Sequence, residues 1–189
     1  MAIYTDFFVA SEDELQAAFP FRFPVAKRPK SRRVRNPFTG QDQAVKEWGP
    51  AQPFPELPEG ITYPSEVEAK AVRRFPLVQW KGVDQIKLAT LQALVGGGEV
   101  QSLIRELCRP ALVAPGDENS TLFRLPPAWI EAVAGIKKVA PVAKKWAATE
   151  ELQLDHWKTK DAAEVIESLR ELARRAVAES KGMFLWINL

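Results

Sequence analysis

The carboxy-terminal end constrains this chain more than any other stretch: a run from about Lys160 to Lys181, then Gly182, then the apolar segment Met183 to Leu189. Ala162, Val165, Ile166, Leu169, Leu172, Ala173, Ala176 and Val177 recur at three- and four-residue steps, which places them on one stripe of a helix. Thr159 or Asp161 suits the start of that helix, Lys181 suits the negative end of its dipole, and Gly182 suits a left-handed stop. Each of the larger apolar side chains on the stripe is worth about 1.5–3 kcal/mol when buried, so the helix has to lie on a core. After Gly182 the period becomes extended, and Phe184, Trp186 and Ile187 predict a buried strand that pairs with another.

The opposite end offers a partner. Residues 3–9 are rich in β-formers, with Ile3, Thr5, Phe7 and Val9 on one face. Ser11 and Glu14 form a capping box for a short helix carrying Leu15, Ala18 and Phe19, which Pro20 stops. Nine of the fifteen prolines lie from Pro20 to Pro64, so that region is expected to run as turns and extended pieces. Residues 35–40 read as the turn of a hairpin, and residues 49–60 as an irregular loop.

From Ser65 to Phe75 the alternation of Val67, Ala69 and Ala71 with charged residues reads as a strand, followed by a short extended piece at Leu77 to Trp80. Asp84 caps a helix running to Val95, Gly96 to Gly98 turn the chain, and Val100, Leu103, Ile104, Leu107 and Cys108 form the stripe of the next helix. Thr121 to Leu125 reads as a strand. Pro127 opens a helix to about Val139, which Pro141 breaks before Val142 to Trp146. The expected architecture is α+β: one domain over residues 1–189, with an antiparallel or mixed sheet of about five strands, helices mainly on one face, and a Pro-rich basic elaboration at about 20–64.

The chemistry-bearing residues are sparse. One cysteine rules out an internal disulfide and any multi-thiolate zinc site, and a single histidine leaves the common metal-ligand sets incomplete, so no cofactor or metal is expected. The glycine triplet lacks the Lys-Ser/Thr that a phosphate loop needs, and Glu99 beside it would repel phosphate. Cys108, on an apolar stripe, reads as a small hydrophobe with a raised pKa. His156 follows Asp155, which can orient it, but no Gly-x-Ser-x-Gly elbow presents a nucleophile, and a loop histidine is the favoured reading. The acidic pairs Glu150–Glu151 and Asp117–Glu118 read as solvated turns. No apolar run reaches the length of a membrane span and no basic leader opens the chain, so the expected place is the cytoplasm.

The most distinctive feature is a basic arm. Arg22, Lys27, Arg28, Lys30, Arg32, Arg33 and Arg35 occur with no acidic residue between Leu15 and Gln41, and Phe19, Phe21, Phe23 and Phe38 are interleaved with them. Such a mixture can meet phosphates and stack on bases, although charge runs usually face water. Trp186 is the second candidate contact, since a C-terminal strand at a sheet edge can accept a partner strand. The net charge of +2 favours neither partner class. These features lead to the expectation of a non-catalytic protein-binding module of the bacterial inhibitor or immunity type, its partner another protein and not a membrane. A nucleic-acid binder using residues 22–35 and an enzyme or small-molecule binder with an unrecognised pocket are the alternatives.

Overall fold

Two strands from opposite ends of the chain make the middle of the sheet. In the computed structural model, which describes residues 4–22, 30–35, 42–47, 59–61, 63–108, 110–113 and 120–188, β1 (Tyr4–Ala10) pairs antiparallel with β7 (Gly182–Asn188), from Tyr4↔Asn188 to Ala10↔Gly182. β6 (Ser120–Arg124) lies on the far side of β7, and β5 (Pro110–Val113) follows it. β4 (Leu77–Lys81) lies on the far side of β1. The order is β4-β1-β7-β6-β5, with every pairing antiparallel. A separate two-stranded sheet joins β2 (Lys30–Arg35) to β3 (Asp42–Glu47), the hairpin expected from the sequence; its turn, and the predicted loop at 49–58, lie outside the described residues.

Both faces of the central strands are apolar because both are covered. On one side Phe7, Val9, Phe123, Met183 and Leu185 join a large cluster with the helices α3 (Gln85–Val95), α4 (Val100–Leu107), α5 (Pro127–Ala134), α6 (Val139–Trp146), α7 (Glu150–Leu154) and α8 (Thr159–Ala178). On the other side Phe8, Ala10, Leu122, Phe184 and Trp186 join a smaller cluster with α1 (Glu12–Ala18) and α2 (Pro64–Val72). The fold is therefore α+β with its helices mainly on one face. Phe8 stacks with Phe19, Phe75 and Phe184 at centroid distances of 5.7, 5.2 and 5.6 Å, which ties the second face together.

The amphipathic stripe of α8 is buried from Ala162 to Ala176, whereas Val177 leaves it and is 53% exposed. The helix ends in a Schellman arrangement: Lys181 N–H donates to Ala176 C=O at 2.9 Å, and Ser180, not Gly182, takes the left-handed conformation at φ 53°. Gly182 is instead needed as the first residue of β7, where a Cβ would come within 2.9 Å of the Phe184 ring.

Three expectations are corrected. Residues 64–72 are helical, not extended: Pro64 starts the helix, Tyr63 N–H donates to Glu66 Oε1 at 3.2 Å, and the buried Glu68 belongs to a helix face. The break after α5 falls at Gly135, and Pro141 sits in the first turn of α6, where its missing N–H costs no helical hydrogen bond. Cys108, expected on a buried stripe, is exposed where α4 ends.

Candidate functional site

Of the seven basic residues of the arm, Arg22 is the one whose side-chain surroundings are described. Arg22 occupies the 3₁₀ turn Pro20–Arg22 that follows α1, and it is only 2% exposed. Its Nε donates to Glu68 Oε1 at 2.7 Å, and its Nη2 donates to Glu68 Oε2 at 2.6 Å and to the Ser120 hydroxyl at 2.7 Å. The guanidinium stands 5.9 Å from the Phe19 ring centroid. Arg22 thus locks α2 and β6 to the turn after α1, and its burial sets it inside the fold and not on the surface. Lys30, Arg32, Arg33 and Arg35 lie on β2, opposite Glu47, Val45, Ala44 and Asp42 of β3. Lys27 and Arg28 lie outside the described residues.

Trp186 is buried as well. It is 3% exposed, and β7 is bonded on both sides, to β1 and β6, so it offers no edge. Among the described residues β4, which the sequence marked only as a short extended piece, is the open edge beside β1.

The geometry of β4 decides what that edge presents. Val9 N–H donates to Pro76 C=O at 3.3 Å, which makes Val9 and Pro76 a bonded pair. Bonded and non-bonded pairs alternate along an antiparallel ladder, so Phe7↔Val78 and Thr5↔Trp80 are bonded as well. Leu77, Gln79 and Lys81 therefore turn their N–H and C=O groups away from β1. Among the described residues no strand lies on that side. The opposite edge is blunted: β5 begins with a proline, and its pairing with β6 is irregular between Pro110 and Leu112. The register of β4 has no such interruption.

Side chains above the open edge come from α8 and the turn before it. One depression of about 380 Å³ lies between Leu77, Val78 and the α8 residues Ser168, Glu171 and Arg175. A second, of about 350 Å³, lies between Trp80, Lys81, Asp155, His156, Asp161 and Glu164. Asp161, Glu164, Ser168, Glu171 and Arg175 fall at alternating three- and four-residue steps, so they form one polar stripe of α8 along β4. Val78 and Trp80 form the half-buried apolar floor.

The end of the groove is braced. Lys87 is buried at the start of α3, with Nζ 2.7 Å from Asp155 Oδ2 and 3.1 Å from Asp84 Oδ2. Burial opposes its charge, but the hydrogen bonds to Asp155 and Asp84 outweigh that and hold its pKa above the usual lysine value. Asp84 also caps α3 by accepting from Lys87 N–H at 2.9 Å. His156, next in the chain, is held at φ 58°, a left-handed conformation that an ordinary side chain adopts only under local constraint. Trp157 N–H donates to Leu152 C=O at 2.9 Å, and its ring meets Trp146 edge-on at 6.1 Å. Leu154, just before this turn, is 71% exposed.

Partial desolvation where α4 ends, and then the charge of Asp84, push the exposed Cys108 thiol above its usual range, which disfavours the thiolate. Among the described residues no three His, Cys, Asp or Glu side chains are grouped to hold a metal ion, and no helix is long and apolar enough to cross a membrane. Sequence reasoning missed the groove because an open backbone edge carries no side-chain signature. In the sequence Glu164 and Glu171 are only charged positions off the apolar stripe of α8, and Asp161 only a candidate cap. Comparison of the chain with protein-family models, with curated proteins and with solved structures finds no match to any of them.

Proposed function

We propose that the protein is a non-catalytic protein-binding module whose contact surface is the open edge of β4 beneath the polar stripe of α8. The observation that carries this reading is the outward set of backbone groups at Leu77, Gln79 and Lys81, on a strand with regular register. A regular, unpaired edge is a template for strand addition, in which main-chain hydrogen bonds supply affinity and flanking pockets supply specificity. The two depressions along β4 furnish such pockets.

The test is capture of partners from source lysate with tagged wild type, Gln79→Pro and Gln79→Ala proteins, each with and without nuclease, followed by mass spectrometry. Proline at position 79 removes an outward N–H and leaves the bonded pairs with β1 intact, while alanine keeps that N–H. A protein recovered by wild type and Gln79→Ala, lost with Gln79→Pro and indifferent to nuclease supports the reading. Partners recovered equally by all three forms, or only without nuclease, overturn it.

A further inference from the structure

We infer that the occupant of the β4 edge is an extended segment carrying arginine or lysine at alternate positions. This inference rests on the protein-binding reading and adds the chemistry of the partner. It starts from charge. The residues lining the two depressions include four carboxylates, Asp155, Asp161, Glu164 and Glu171, against two cations, Lys81 and Arg175. Arg175 is already engaged by Glu179 at 2.6 Å and Asp155 by Lys87 at 2.7 Å, which leaves Asp161, Glu164 and Glu171 against Lys81, with Lys160 3.8 Å from Glu164. A chain of net charge +2 thus concentrates negative charge beside its open strand.

Dimensions agree with this. Asp161 to Glu171 spans ten helical steps, about 15 Å at 1.5 Å per residue. The five residues of β4 span about 17 Å at roughly 3.4 Å each. A strand added to β4 places every second side chain on the α8 side, about 7 Å apart, so three successive side chains of one face run the length of the carboxylate stripe. Val78 and Trp80 lie under that face. The aliphatic stems of arginine or lysine can cover them while the charged heads reach Asp161, Glu164 and Glu171, and a guanidinium over Trp80 gains from the ring as well. Acidic side chains at the same positions would meet carboxylates, and an apolar face would leave those carboxylates partly desolvated without partners.

The probes are two fluorescein-labelled, end-blocked octapeptides, alternating Arg–Val and alternating Glu–Val, titrated into full-length protein by fluorescence anisotropy. The Arg–Val peptide should bind wild type and Gln79→Ala alike, and about tenfold or more weakly to Gln79→Pro. The Glu164→Gln/Glu171→Gln protein, altered only on the outer side of α8, should also bind it at least about tenfold more weakly. Its binding should weaken as salt screens the pairs. Thermal melting monitored by circular dichroism confirms that each variant is folded. Equal binding of the Glu–Val peptide, or Arg–Val binding that ignores both Gln79→Pro and the double substitution, overturns the inference. If a captured protein depends on the Gln79 N–H but the Arg–Val peptide does not bind, the basic occupant is wrong and the protein-binding reading stands; if neither depends on it, both fall.

Discussion

Arg22 and Glu68, forty-six residues apart, meet in a two-pronged buried ion pair at 2.7 and 2.6 Å. The pair is where the amino-terminal basic run enters the core, and it holds α2 against the second face of the sheet. Glu68→Ala leaves a buried guanidinium short of its carboxylate and is expected to cost about 3–5 kcal/mol in urea denaturation. Replacing both residues by Met and Leu is expected to be milder, because the two partners of the buried ion pair are then removed together.

Asp6 makes stability fall with rising pH. Burial, only partly offset by the Gln79 hydrogen bond at 2.7 Å and the charge of Arg73, raises its pKa above the ordinary value of 3.8. The folded state therefore holds the proton more tightly than the unfolded state. The resulting stabilisation is fully present below the unfolded pKa and is lost as pH rises through the folded one. Asp6→Asn is expected to raise the melting temperature at pH 7, with a gain that shrinks as pH is lowered and disappears below pH 3.8. A gain that is the same at both pH values would remove Asp6 as its source.

Gly182→Ala tests the end of α8. Its new Cβ would lie 2.9 Å from the Phe184 ring, which is fixed by stacking on Phe8 and by Arg124 at 5.6 Å. A loss of about 1–3 kcal/mol is expected from overpacking. Ser180→Gly, which relieves a left-handed serine, should instead be neutral or stabilising.

The brace at Lys87 should show in alkaline titration. Its raised pKa contributes stability that is present below the unfolded value of 10.5 and lost as pH rises through the folded value. Asp155→Ala is expected to lower the melting temperature at pH 7 and to speed amide exchange at His156 and Trp157. The difference in melting temperature from wild type should narrow as Lys87 loses its proton.

The parts of the fold that were legible are those whose burial is apolar and periodic. α8 shows in its three- and four-residue steps, and the central place of β7 is foreshadowed by Met183 to Ile187, apolar on both faces because both are covered. α2 was misread for the opposite reason. Val67, Ala69 and Ala71 alternate, whereas the helix is fixed by Glu68, a charged residue whose partner Arg22 lies far away in sequence. The candidate site was least legible, since the outward direction of Leu77, Gln79 and Lys81 follows from pairing with β1, a segment some seventy residues earlier. The burial of Arg22 and Trp186 was not legible either, because exposure is not written in residue type.

Residue-resolved amide hydrogen exchange at β4 tests the central claim most directly. In the free protein Val78 and Trp80 should exchange slowly, protected by β1, while Leu77, Gln79 and Lys81 exchange fast. Addition of the alternating Arg–Val octapeptide should slow Leu77, Gln79 and Lys81 together. Fast exchange at Val78 and Trp80, or no added protection at the other three with bound peptide, would contradict an open β4 edge as the binding surface.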